Sequence, residues 1–153
     1  MNRRAYQAYA DTQVETGVAS ARPVELVVMV YDRIFEHLKA AELAMQTQQS
    51  ADVSIGKALE LIGVGLQSCL NAEEGGEIAE NLSALYDWAN RQILLGKLRK
   101  DPMLLVEVRR VLTPLAEAWR THAQSQSTAA YEQTAAFQAG LQLPQGMAAA
   151  AMA

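Results

Sequence analysis

Apolar residues recur every three or four positions through four long stretches of the chain, and this spacing predicts amphipathic helices. The stretches cover residues 23–48, 52–71, 77–98 and 102–122. Strand-like alternation of apolar and polar residues is nearly absent, so the pattern predicts an all-α fold. The apolar face of the first stretch consists of Leu26, Val30, Ile34, Leu38, Ala41 and Met45.

The other three stretches have faces of the same kind. In the second, the apolar positions follow a heptad-like seam, and the single cysteine of the chain, Cys69, closes this seam and is interpreted as a buried thiol. The rest of the second face is Ile55, Leu59, Ile62 and Leu66. The third face is Ile78, Leu82, Leu85, Ala89 and Ile93, and the fourth is Leu105, Val108, Leu112, Leu115 and Trp119.

The connections between the stretches are short, which makes consecutive helices antiparallel neighbours. Asp101 and Pro102 are typical of the N-cap and the first position of a helix, so they predict the start of the fourth. The chain is therefore predicted to form an antiparallel up-down four-helix bundle within residues 1–124, with a short capping arm or helix at 1–22. Residues 125–153, rich in alanine and glutamine, predict a tail that is disordered or weakly helical.

Charge and composition narrow the classes of protein that this bundle could represent. The chain of 153 residues has a net charge of −4, so nucleic acid is not expected as a partner. The longest run of large apolar residues, 26–30, is far shorter than the roughly 20 residues of a membrane span. No apolar stretch follows Arg3 and Arg4, so no secretory signal is predicted. A single cysteine excludes an internal disulfide and suits a reducing compartment, and we expect a cytosolic protein.

The sequence offers no constellation of residues for catalysis or for binding a cofactor. A di-iron site in a four-helix bundle needs Glu-x-x-His, but Ile34 and Trp119 stand three residues before His37 and His122. The glutamates within 73–80 lie at a predicted helix start, where acidic side chains interact favourably with the helix dipole. We therefore expect no enzyme activity, no metal and no cofactor.

Four tyrosines have no obvious place in a simple bundle. Tyr31 and Tyr86 each stand between an apolar residue and an aspartate, one position after the apolar face of their helix. Each ring then lies at the flank of that face, where it either packs at the core boundary or contacts a partner. The apolar faces are also wider than one seam requires, which indicates a groove that another molecule covers. In the arm, Tyr6 and Tyr9 are three residues apart and would share one face of a short helix.

Four segments together resemble a known family. They are AYQAYADTQV (5–14), PVELVVMVYDRIFEHL (23–38), EEGGEIAENLSALYDWANRQIL (73–94) and KDPMLLVEVRRVLTPLAEAW (100–119). In this order and spacing they resemble the FliS family, the flagellin-specific export chaperones of bacterial flagella. Four features depart from the family pattern: Arg22 replaces a capping Ser or Thr, the stretch between Val14 and Pro23 is longer, Pro114 lies inside the fourth helix, and the tail after about residue 125 has no counterpart.

The resemblance implies a binding protein without catalytic activity. Proteins of this family hold the disordered C-terminal segment of flagellin in the cytosol, prevent its premature polymerisation and deliver it to the gate of the flagellar type III export apparatus. We expect the free protein to be a monomer or a weak homodimer. The alternatives are a self-associating structural or regulatory bundle and an export chaperone for a different flagellar client.

The client is expected to lie on the apolar faces that flank the two bundle tyrosines. The arm is expected to cover this groove in the free protein, with its two rings inserted and their hydroxyls at the wet edge, until the client displaces it. The predicted partner-binding residues are Tyr6, Tyr9, Val27, Tyr31, Leu82, Leu85 and Tyr86.

Overall fold

The structure, a computed structural model, describes the backbone of residues 23–152 and the side chains of residues 23–140. The predicted capping arm, with Tyr6 and Tyr9, lies outside the described residues. Throughout the described range the regular structure is helical and contains no strand, which confirms the predicted all-α fold.

Within residues 23–152, four helices follow one another with short connections. Helix α1 is Pro23–Gln46, and α2 is Asp52–Glu60, continued by a π-helical segment Leu61–Leu66 and a 3₁₀ turn Gln67–Cys69. Helix α3 is Ala72–Arg99, and α4 is Pro102–Met152. Helix α1 packs against α2 and α4, and α3 packs against the same two. This arrangement is that of the predicted four-helix bundle, with α1 and α3 starting at one end and α2 and α4 at the other.

The start of α3 combines an N-cap with a break in helical geometry. The side-chain oxygen of Asn71 accepts hydrogen bonds from the backbone N–H groups of Glu73 and Glu74, at 3.1 and 3.4 Å, which satisfies two of the donors that a helix start leaves free. Gly76 then has φ 52° and ψ −130°, a conformation that glycine adopts without a Cβ clash. The regular helix therefore resumes at Glu77, where the sequence pattern placed its start.

The turn between α3 and α4 brings the two helices into close contact. The carboxylate of Asp101 accepts a hydrogen bond from the backbone N–H of Met103 at 3.0 Å, which confirms the predicted N-cap. Gly96 lies against the start of α4, where a Cβ atom would come within 2.5 Å of Leu105 Cδ1. A larger residue at position 96 would force the helices apart, so this glycine permits the tight antiparallel pairing.

The end of the α2 region corrects the prediction for Cys69, which is exposed. A π-helical turn holds one residue more than an α-helical turn, so the segment Leu61–Leu66 shifts the apolar seam by one position. Leu70 packs against the core in place of the cysteine. The thiol was predicted to be buried because the sequence pattern alone carries no sign of the inserted residue.

Helix α4 is much longer than the pattern predicted. It continues through Pro114 and past the expected end near residue 122 to Met152. Among the described side chains Ala123 is the last buried one, and every side chain over 124–140 is exposed. Alanine and glutamine have high helix propensity, which favours a helical backbone in the predicted tail even without a core to pack on.

The core contains residues from all four predicted apolar faces. The fully buried large side chains come from every helix and form one cluster, as expected for a single domain. They are Tyr31, Ile34, Leu38, Ile55, Ile62, Ile93, Leu105, Leu112, Val30 and Val108.

Candidate partner-binding surface

Tyr31 and Tyr86 lie in the centre of the bundle. Both side chains are almost fully buried, and their hydroxyl oxygens are 2.5 Å apart, in a hydrogen bond between α1 and α3. Burial raises the pKa of the Tyr86 phenol, and the hydrogen bond with Tyr31 acts in the opposite direction. The phenol is therefore neutral near pH 7, and the contact is a hydrogen bond between two uncharged groups.

Of the two positions that the sequence allowed for these rings, the structure favours packing. In this conformation the surrounding core closes both rings off from a partner, so their direct contact with a client stays a prediction. Their buried position gives them a structural role instead. The hydroxyl pair fixes the distance between α1 and α3, and these helices bear the other predicted contact residues.

The aspartates of the two apolar-Tyr-Asp triplets connect their helices to neighbouring ones. Arg120 of α4 donates a hydrogen bond to the carboxylate of Asp32 at 2.5 Å. Gln67, at the end of the α2 region, donates to the carboxylate of Asp87 at 2.7 Å. In each triplet the tyrosine thus points into the core while the aspartate contacts a second helix at the surface. The repeat in the sequence reflects this shared packing role.

A second link between α1 and α4 was not found from the sequence. Arg109 donates two hydrogen bonds to the carboxylate of Glu42, at 2.7 and 2.8 Å, and Glu42 is buried. Such paired geometry is typical of strong Arg–carboxylate contacts. A glutamate beside an apolar face does not by itself predict a buried ion pair, because the arginine that pairs with it lies on another helix.

Half-buried apolar side chains lie at the end of the bundle where α1 and α3 begin. We call Ile78, Leu82 and Leu85 the α3 stripe, since these residues share one face of the helix. Leu82 and Leu85 pack partly against the core, whereas Ile78, one turn closer to the helix start, is 72% exposed. Val27 of α1 is also half-buried against the core. The structure thus leaves part of the surface of three predicted contact residues open, one near the start of α1 and two in the first half of α3.

The described residues contain no group of three or more His, Cys, Asp or Glu side chains placed to hold a metal ion. Within the same range, no helix is both long and apolar enough to cross a membrane.

The fold and the α3 stripe together define a helical bundle with partly open apolar surface. Residues 4–126 match the family model described as flagellar protein FliS. The chain therefore belongs to the FliS family, as its four motifs predicted.

Relatives called flagellar secretion chaperone FliS occur in several bacteria. The flagellar secretion chaperone FliS of Salmonella typhimurium is 39% identical over 116 residues, which cover 74% of this chain and 86% of that protein. The protein of that name from Vibrio cholerae is 36% identical over 120 residues, 76% of this chain and 87% of its own length. The Bacillus subtilis protein is 27% identical over 123 residues, 79% and 87% of the two chains.

Proposed function

We propose that this protein binds the disordered C-terminal segment of flagellin in the cytosol, prevents its premature polymerisation and delivers it to the flagellar type III export gate, without catalysing a reaction. The observation that carries the proposal is membership of the FliS family. The name flagellar secretion chaperone, borne by relatives across most of the chain length, supports it. The half-buried α3 stripe supplies a surface of suitable chemistry.

The client lies on the α3 stripe and on Val27 in this proposal. An amphipathic helix binds by placing apolar side chains three or four residues apart into a groove, and Ile78, Leu82 and Leu85 offer that same spacing. Tyr31 and Tyr86 take part from beneath, because their hydroxyl contact holds α1 and α3 at a fixed separation. A client that folds on binding typically buries about 1,000–3,000 Å², so the stripe is one part of a larger contact.

The direct test is the assembly state with and without client. The free protein is expected to elute as a monomer or weak homodimer and to form a one-to-one complex with monomeric flagellin. Light scattering coupled to size exclusion measures both masses. A stable dimer that ignores flagellin would instead identify a self-associating bundle. A complex with another flagellar export substrate, and none with flagellin, would identify a chaperone for a different client.

The N-terminal arm is proposed to shield the client surface in the free protein. The double variant Tyr6→Ala, Tyr9→Ala should bind a hydrophobic dye more strongly than the wild type, because removing two rings would uncover apolar surface. Hydrogen exchange at residues 5–14 supplies the control, since a docked arm protects its amides. Wild-type amides that exchange as fast as those of a free peptide would refute the shielding role.

The C-terminal extension of α4 is expected to be dispensable for client binding. A chain ending at Gln124 keeps every side chain of α4 that is buried within the described range 102–140, so its melting temperature and its affinity for flagellin should change little. Calorimetric titration with the flagellin C-terminal segment measures the affinity. A large loss of affinity would show that Tyr131 or Phe137, both exposed on the extension, contacts the client.

A further inference from the structure

The bundle end where α1 and α3 stop carries exposed apolar side chains that the proposed client surface does not use. Leu98, in the last turn of α3, is 80% exposed, and Val53, at the start of α2, is 75% exposed. Met103, at the start of α4, is exposed as well. We call this region, formed by residues 45–55 and 97–103, the connection end. It lies opposite the end from which the α3 stripe starts.

A pocket of about 710 Å³ opens at the connection end. Its apolar lining comes from Met45, Ala51 and Ile55, and Lys97 and Lys100 stand beside them. The remaining lining is polar and consists of Gln48, Gln49, Ser50 and Asp52. The pocket is large enough to take an apolar side chain, and its cations lie where they could meet a carboxylate next to that side chain.

Positive charges outnumber negative ones by one at the connection end, which holds Lys97, Arg99 and Lys100 against Asp52 and Asp101. Lys97 is partly compensated, because its Nζ atom lies 3.0 Å from the carboxylate of Asp52. Arg99 and Lys100 are exposed, and among the described residues no ion pair involves either of them. The excess stands out in a chain whose net charge is −4, and it favours a partner that carries negative charge at this place.

We propose that the connection end is a docking surface for an acidic amphipathic segment of a partner protein. One apolar side chain of this segment enters the pocket lined by Met45 and Ile55, and Leu98 packs along its apolar face. Its carboxylates face Arg99 and Lys100. The apolar pocket and the exposed leucine favour a protein segment over nucleic acid, because a phosphate backbone offers nothing to fill them.

This docking surface is independent of the proposed client site. The α3 stripe starts at the opposite end of the bundle and does not include any residue of the connection end, so a client segment bound along the stripe is not required to cover the connection end. The protein could then hold its client and a second, acidic partner at the same time.

A synthetic helical peptide of about 16 residues, with leucine on one face and glutamate on the other, can test the proposal with the full chain. Fluorescence anisotropy measures its affinity, and amide chemical shifts locate it. We expect shifts within 45–55 and 96–103, and a loss of affinity of about tenfold or more when glutamine replaces glutamate throughout the peptide. Shifts confined to the α3 stripe, or equal affinity for the two peptides, would overturn the proposal.

Two variants with the same charge change sharpen the test. Lys100→Glu should weaken binding of the glutamate peptide about tenfold, whereas Arg110→Glu should leave it unchanged, because Arg110 is exposed about two turns into α4. Both variants should melt like the wild type, since neither side chain is buried. Equal effects of the two substitutions would show general charge attraction and refute a local site. A saturating flagellin segment should leave the peptide's affinity unchanged if the two sites are separate, and competition would overturn their independence.

Discussion

Tyr86→Asp is expected to unfold the protein. The substitution therefore cannot be used to weaken partner binding selectively in a folded protein. The Tyr86 side chain is 2% exposed, and a carboxylate in its place would be buried without a cation to pair with it. Such burial costs several kcal/mol, a large part of the roughly 5–15 kcal/mol that stabilises a typical domain. Far-UV circular dichroism and thermal melting measure the loss of helix.

A conservative pair of substitutions isolates the contribution of the hydroxyl contact. Tyr31→Phe leaves the Tyr86 hydroxyl without its partner from α1 and should destabilise the fold by about 1–3 kcal/mol. Tyr31→Phe combined with Tyr86→Phe removes both hydroxyls and should cost less than the sum of the two single changes. If the change in the free energy of unfolding of the double variant equalled the sum of the two single changes, the contact between the hydroxyl groups would contribute nothing to stability. A Tyr86→Asp variant that melts like the wild type would show that the stability of the fold does not depend on the buried ring.

Helical periodicity was sufficient to predict the bundle because most of the large core side chains lie on a repeating face. Val30, Ile34 and Leu38 are spaced four residues apart on α1, and this spacing alone requires one buried face. Short connections then fix the antiparallel order of the helices. These two inferences need no knowledge of which side chain touches which, and for this reason they agreed with the structure.

Predictions that depended on pairing or on register were less successful. The buried hydroxyl group of Tyr31 has its hydrogen-bond partner on a residue 55 positions further along the chain. Periodicity within one helix cannot show such a pair. The π-helical segment moved Cys69 to the surface by inserting one residue into the seam. Glu42 is buried because Arg109 lies opposite it on α4. In each case a second helix or a local irregularity decided the position of the side chain.

The candidate site was predicted more from the resemblance to the FliS family than from the spacing of apolar residues. Val27, Leu82 and Leu85 lie on predicted apolar faces, and a face pattern does not show where a bundle leaves its core positions partly open. The structure shows this at the start of α3, where the buried positions are Ala79 and Tyr86, each one residue after the predicted face positions Ile78 and Leu85. Ile78, which the sequence assigned to the core face, is exposed for that reason, and it is the natural residue with which to probe the surface.

Ile78→Asp is expected to weaken binding of the flagellin C-terminal segment by about tenfold or more, with little change in melting temperature. Because the side chain is 72% exposed in the free protein, its replacement removes little packing from the fold. In the complex, a buried anchor of this size contributes about 1.5–3 kcal/mol, and about 1.4 kcal/mol corresponds to a tenfold change in affinity. Calorimetric titration with the segment measures the loss.

Val53→Asp is the matched control for this measurement. Val53 is 75% exposed and also lies near a helix start, but at the opposite end of the bundle. The same charge is therefore introduced into a similar environment, and flagellin binding should stay at the wild-type level. If Val53→Asp lost affinity while Ile78→Asp retained it, the client would lie on the connection end and the α3 stripe would be excluded. If both variants bound normally, the contact would rest on other parts of the bundle. Because both side chains are exposed before binding, a difference between the two variants reports where the client lies, independently of fold stability.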